Sequence, residues 1–162
     1  MSHIPIRQIT ELEASESFKI RDIKTLLSEK DMEQDLHRHD FFFVLALEKG
    51  LGEHVIDFTS YLIDDYSVFF MKPGQVHQLT LRQGSTGYLM EFNADFYRPF
   101  ELPAKQVLQK VSNKTHCQLD AARFNKILSV LAYIFEEYTE RRDRYTEIIK
   151  AYMSIFFTEL YR

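Results

Sequence analysis

Along this chain the spacing of hydrophobic positions changes once. From Phe18 to Phe92 apolar residues alternate or form short runs, broken by turn formers at intervals of about ten residues, the signature of many short strands. From Asp120 onward they fall at steps of three and four, the period of amphipathic helices. The first part predicts strands at Phe18–Asp22, along 37–48, at 53–58, in the run Tyr66–Met71, at 76–82 and at 88–92. Residues 28–35 are polar and read as a loop. Phe41 to Leu47 is apolar without alternation, which means burial on both faces of the strand. Gly50 and Gly52, Pro73-Gly74 and residues 83–87 mark turns. Such a row of strands predicts a mainly β fold, a sandwich or barrel.

Pro99 and Pro103 then punctuate an irregular stretch, with a short helix over 104–111. Phe124, Ile127, Leu128, Leu131, Ile134, Phe135 and Tyr138 predict a long helix with Asp120 as its N-cap. The sequence Arg141-Arg142-Asp143-Arg144 breaks the pattern, and Asp143 is placed to cap the next helix. That helix carries Tyr145, Ile148, Ile149, Tyr152, Met153, Phe156 and Leu160, so the chain closes in an αα-hairpin. At the other end Ile6, Ile9 and Glu13 follow a helical step and predict an arm with about one turn of helix.

Length and composition narrow the class. The chain has 162 residues, enough for one domain with its own core. Twenty basic residues against 24 acidic give a net charge of −4, which argues against a nucleic-acid grip by this segment itself. One cysteine, Cys117, excludes an internal disulfide and suits a reducing, cytoplasmic compartment. The N-terminus has no basic-then-apolar build of a signal peptide, and no apolar run approaches the ~18 residues that span a membrane. Fourteen Phe and nine Tyr without Trp suit a tightly packed barrel or an aromatic-lined pocket.

The chemistry concentrates in two stretches. Leu36-His37-Arg38-His39-Asp40 runs into Phe41-Phe42-Phe43, and Val68-Phe69-Phe70-Met71-Lys72-Pro73-Gly74 runs into Val76-His77. Residues two apart in a strand share a face, so the His37 and His39 imidazoles point the same way, and a returning strand can set His77 opposite them. Three imidazoles on one interior face form a possible metal site. No nucleophile elbow, phosphate loop or His-Glu-x-x-His motif is present, and Cys117 beside His116 reads as an inert thiol in a loop. No catalytic residue is assigned.

His-x-His, a strand, the Gly-Leu-Gly at 50–52, the strand at 54–58 and Pro-Gly-x-x-His at 73–77, in this order, resemble the two cupin motifs. They are most similar to the sensor domain of bacterial transcription regulators of the arabinose-regulator (AraC) type, over roughly residues 18 to 162. The resemblance implies a cupin-like double-stranded β-helix, or jelly-roll, barrel followed by a C-terminal antiparallel helical hairpin. It implies an N-terminal arm over 1–17, a barrel over 18–100 and helices over 104–162, with a helix-turn-helix DNA-binding domain expected after residue 162. The implied function is non-enzymatic. A small organic effector binds in the barrel beside His37, Arg38, His39, Phe43 and His77, the arm folds over it, and DNA is reached only through the following domain. Metal-binding cupins place a Glu four residues after the second His; Phe43 stands there, so no metal and no cofactor is expected. The alternative is a small metal-dependent cupin isomerase or dioxygenase with His37, His39 and His77 as ligands.

The last helix adds a partner. Residues 145 to 161 carry an apolar arc of roughly 240°, more than one packing face requires. One flank packs within the chain. The other, Ile149, Met153, Phe157 and Leu160, is expected to meet an identical helix in a two-fold homodimer, as the resemblance also implies.

Overall fold

The computed structural model describes residues 4–7 and 17–162. Its elements in chain order are β1 (Ile6–Arg7), β2 (Phe18–Asp22), α1 (Ile23–Leu26), β3 (Met32–His39), β4 (Phe42–Lys49), β5 (Gly52–Ile56), β6 (Thr59–Ile63), β7 (Ser67–Met71), β8 (Val76–Leu81), β9 (Thr86–Phe92), α2 (Leu102–Asn113), β10 (His116–Gln118), α3 (Ala121–Glu140) and α4 (Tyr145–Tyr161). Two five-stranded sheets result, in the orders β1-β3-β8-β5-β6 and β10-β7-β4-β9-β2. All pairings are antiparallel except β1 with β3. The fold is mainly β with C-terminal helices, as the hydrophobic pattern requires.

The two sheets enclose one apolar cluster, with Phe43, Leu45, Leu47, Ile56, Ile63, Phe69, Met71, Leu79, Leu81 and Leu89 at its heart. A second cluster lies on the far side of the β4 sheet. There Val44, Ala46, Val68, Phe70, Met90 and Phe92 meet Phe124, Ile127, Leu131 and Ile134 of α3 and Ile149, Met153, Phe156 and Phe157 of α4. This sheet is therefore covered on both faces, and all five residues of β7 are buried. The β3 sheet has only its inner face covered, so β5 and β8 alternate. The unbroken apolar run through β4 and the alternation in β8 are two consequences of one layer order.

Several expected boundaries move. The polar stretch is a loop only to Asp31; β3 starts at Met32, because even a charged strand can alternate when its other face is solvated. The single strand expected along 37–48 is two. Asp40 and Phe41 form a bend at which the chain leaves one sheet for the other. His116 and Cys117 lie not in a loop but in β10, paired with Phe69 and Val68. Ile6–Arg7 is a strand, while Ile9 and Glu13 of the expected helical turn lie outside the described residues. Asp57 and Phe58 join β5 to β6 with φ of 48° and 66°, the two left-handed residues of a tight hairpin turn.

Asp120 caps α3 as expected, accepting from the Arg123 N–H at 2.8 Å. Asp143 does not cap α4: Arg144 takes that position in the left-handed conformation, without a side-chain cap. The assignment of the α4 flanks is reversed. Ile149, Met153 and Phe157 are fully buried inside the single chain and Leu160 is half-buried against the same cluster, so this is the inward flank. Outward apolar residues of the hairpin include Tyr133, Ile148 and Ile155, 53%, 42% and 48% exposed, with Tyr152 stacked on Tyr133 at 5.4 Å. Residues 149, 153 and 157 face the β4 sheet because its outer surface, invisible in a helical wheel, is itself apolar.

Phe157 pins the hairpin down, with its ring 5.5 Å from Phe70, 5.9 Å from Phe92 and 5.2 Å from Tyr97. Phe157→Ala should cost about 3–5 kcal/mol in urea unfolding, the range for an emptied aromatic core site. A loss under 1 kcal/mol would mean that the hairpin is not packed on this sheet.

Candidate functional site

The site begins with a bulge. Between Gln34 and His37 the β3–β8 register slips by one residue, so three steps on β3 match two on β8. An extra residue reverses the parity of a strand. Upstream, Met32 packs towards the interior; downstream, His37 and His39 do. The bulge also turns the Asp35 carbonyl to the His37 Nδ1, which holds that ring and leaves its Nε2 facing inward. His77 is the direct cross-strand partner of His37. The inward phase then carries through the bend to Phe41 and Phe43, whose rings lie 4.4 and 5.3 Å from His39.

The result is a triangle of ring nitrogens. His37 Nε2 and His39 Nε2 are 3.2 Å apart, His39 Nε2 and His77 Nε2 2.6 Å, and His77 Nε2 and His37 Nε2 3.1 Å. All three side chains are buried. A fourth imidazole stands behind them: His54 Nε2 of β5 lies 2.7 Å from His77 Nδ1. Burial, then the nearby His116 and His37, push the His54 pKa down to about 3, so this ring is neutral. His54 in turn packs on Phe69 at 4.8 Å, and Phe69 stacks on His116 at 4.6 Å. An aromatic and imidazole file thus crosses the barrel from β3 to β10.

The structure gathers His37, His39, His77 and Phe43 as the sequence reading expects. It sets Arg38 apart, on the opposite face of β3 from the histidines that flank it. The Arg38 backbone has a different task, donating its N–H to Pro5 O at 2.9 Å where β1 lies along β3. Two further strand-associated arginines are engaged away from the histidines. Arg21 meets the buried Glu91 at 2.8 Å, and Arg82 faces Asp31 at the surface. His54 and His116 were not singled out in the sequence. The signal for His54 was present, since it alternates with Ile56 in a strand whose other inward residues are apolar. His116 carried none, because its strand is three residues long.

Position 43, where the resemblance leads one to look for a carboxylate, holds a buried phenyl ring. Among the described residues the clustered metal-type donors here are the three histidines alone. Neutral imidazoles suit a first-row transition ion and offer nothing to a hard cation such as Mg²⁺ or Ca²⁺. Among the described residues, no helix is long and apolar enough to cross a membrane.

The sequence matches the family described as AraC-like ligand binding domain over residues 27–147. No curated protein matches it significantly. Among the similar solved structures are the following three. An apo variant of ToxT from Vibrio cholerae, 13% identical, aligns with a TM-score of 0.54 over 90% of this chain and 56% of that one. A cupin protein from Bacteroides fragilis, 13% identical, gives 0.39 over 58% of this chain and 80% of that one. An oxalate decarboxylase from Bacillus subtilis, 15% identical, gives 0.30 over 63% and 37%. At these identities the ToxT likeness establishes the fold, and this chain spans little more than half of ToxT's length.

Cys117 has no part in this arrangement. Burial pushes its thiol pKa up, only partly offset by Lys114 and Arg123. Iodoacetamide should alkylate it at least ~10-fold more slowly in the native chain than in urea at pH 7.5, because the thiolate is the reacting species. Equal rates, read by mass spectrometry, would show an exposed, activated thiol.

Proposed function

This chain belongs to the family of AraC-like ligand-binding domains, and from that premise we propose that it is the effector-sensing and dimerising part of a transcription regulator. It binds a small, uncharged or weakly acidic organic molecule at the end of the barrel marked by His37, His39, Phe43 and His77. Imidazole edges and a phenyl face offer such a molecule hydrogen bonds and an apolar wall in a site shielded from water. The chain is a sensor and not an enzyme.

The observation that carries this reading is the seat of the N-terminal segment. Strand β1 pairs with β3 at Ile6–Arg38 and Arg7–His39, so the arm is hydrogen-bonded to the strand that supplies two of the histidines. Gly74, in the turn that leads to His77, donates its N–H to His39 O at 2.8 Å. A ligand that shifts β3 therefore acts at once on the arm and on the β7–β8 turn. Its differential affinity for two arm positions is the free energy available to a regulator. The division into an arm over 1–17, a barrel over 18–100 and helices over 104–162 gives each part a role in this scheme, with DNA contacted by a further domain of the regulator.

In a reporter assay with the whole regulator, His77→Ala should abolish the effector response while leaving the protein folded and dimeric. An unchanged response would place the effector elsewhere.

The second copy meets the outward face of the α3–α4 hairpin, at Tyr133, Ile148, Tyr152 and Ile155. The support is the apolar character of this exposed face, joined to the commonness of two-fold assemblies. Ile148→Lys with Ile155→Glu should yield a folded monomer in sedimentation velocity, since both side chains are exposed and their replacement costs the fold little. A dimer of unchanged strength would exclude this face.

A further inference from the structure

We propose that a groove on the outside of the barrel, between α2 and the β7–β8 turn, binds an organic monoanion with a flat apolar body, of the aryl carboxylate class. The groove is separate from the histidine group, and effector binding inside the barrel is not a premise of this inference.

The groove encloses about 510 Å³, within the ~300–1,000 Å³ of small-molecule sites. Its walls come from distant parts of the chain. Phe42 opens β4, Pro73 lies in the β7–β8 turn, Tyr97 and Pro99 lie on the irregular stretch after β9, and Leu108 belongs to α2. Strand parity puts Phe42 here: Phe43 packs in the cluster inside the barrel, so its neighbour packs on the outer one. The Phe42 ring stacks on Phe92 at 4.9 Å, and the Tyr97 ring meets the same Phe92 at 6.0 Å. Both rings are thus fixed by one buried residue, and two prolines stiffen the rest. Walls that are already in place add little ordering cost when a ligand enters.

The charge of the groove runs against that of the chain. Lys72, Arg98 and Lys105 line it, and among the described residues no carboxylate does. The whole chain has 24 acidic residues against 20 basic. Arg98 meets Asp95 at 2.9 Å, but Asp95 is 86% exposed and stands outside the lining. Lys72 is held at both ends. Its backbone N–H donates to Gln75 Oε1 at 2.8 Å, and its ammonium donates to Asn113 Oδ1 at 2.7 Å, a neutral amide at the end of α2. Among the described residues neither Lys72 nor Lys105 has a carboxylate partner. An apolar wall lowers the local dielectric, so an anion seated against it feels these cations more than it would on open surface. Inorganic phosphate has nothing to set against the aromatic walls, and a neutral arene has nothing for the lysines. A carboxylate on a flat ring system uses both.

The test titrates 2-naphthoate, with 2-naphthamide as its uncharged counterpart, into the full 162-residue chain and follows naphthalene fluorescence. Naphthoate should bind at one site, about 5–10-fold more tightly than the amide, the effect of a few partly screened cations. Lys72→Gln with Lys105→Gln should erase that difference and leave the affinity for the amide as it was. Neither side chain is buried, so the fold tolerates both changes. In methyl-resolved NMR of the unmodified chain, naphthoate should shift the Leu108 and Ala94 methyls, which line the groove, and not those of Leu45 and Leu79 inside the barrel. Equal affinity for acid and amide overturns the proposal, as does unchanged naphthoate binding in the double variant. Shifts at Leu45 and Leu79 in place of Leu108 and Ala94 put the acid inside the barrel, which overturns this site and leaves the effector-sensing reading standing. No saturable binding up to about 1 mM overturns it outright.

Discussion

The constraint on which the rest depends is that the β4 sheet is buried on both of its faces. One face closes the barrel with Phe43, Leu45 and Phe69; the other receives the helical hairpin through Val44, Phe70 and Phe92. A sheet with two apolar faces cannot stand in water on either side, so barrel and hairpin are one packing problem. At about 25 cal/mol per Å² of apolar surface, each large side chain on this sheet contributes on the order of 2 kcal/mol, and neither layer is optional. The same condition fixes the hairpin's orientation. Met153 and Phe157 must point at the sheet, which leaves Ile148 and Ile155 pointing away.

Within that apolar enclosure four buried imidazoles form the main polar feature. Burying a polar ring is tolerated only when its nitrogens find partners. Here most of them find a bulge carbonyl or one another, while His54 Nδ1 is left without a hydrogen-bond partner. The barrel thus trades some packing stability for a concentrated set of nitrogen donors at one end, held by strands rather than loops. The ion pair of Arg21 with Glu91 is a second such exception, bridging neighbouring strands β2 and β9.

Position and transmission converge on β3. Its inward residues build the histidine group; its backbone edge carries the N-terminal segment; its end bends at Asp40–Phe41 into the central strand of the other sheet. Strand β3 therefore joins the histidine group to the Ile6–Arg7 segment and, through β4, to the sheet under the hairpin.

The sequence by itself determined the class of fold, because period two followed by period 3.6 has few packed solutions, and it pointed to His37, His39 and His77 as a group, because residues two apart in one strand share a face and a returning strand can set the third opposite them. The Asp120 cap was also local and legible. What the tertiary structure decided is whatever depends on the far side of a layer. Helix α4 has two apolar flanks, and only the apolar outer surface of a sheet far earlier in the chain settles which one turns inward. The bulge at Asp35–Leu36 lies in a stretch whose polarity resembles a loop, since its outer face is solvated. His54 and His116 join the site through strands β5 and β10, whose neighbours are set by pairing across the sheet and not by any local pattern. Arg38, between two inward histidines, was bound to point the other way once the strand was real, and only the pairing with β1 showed what its backbone does there.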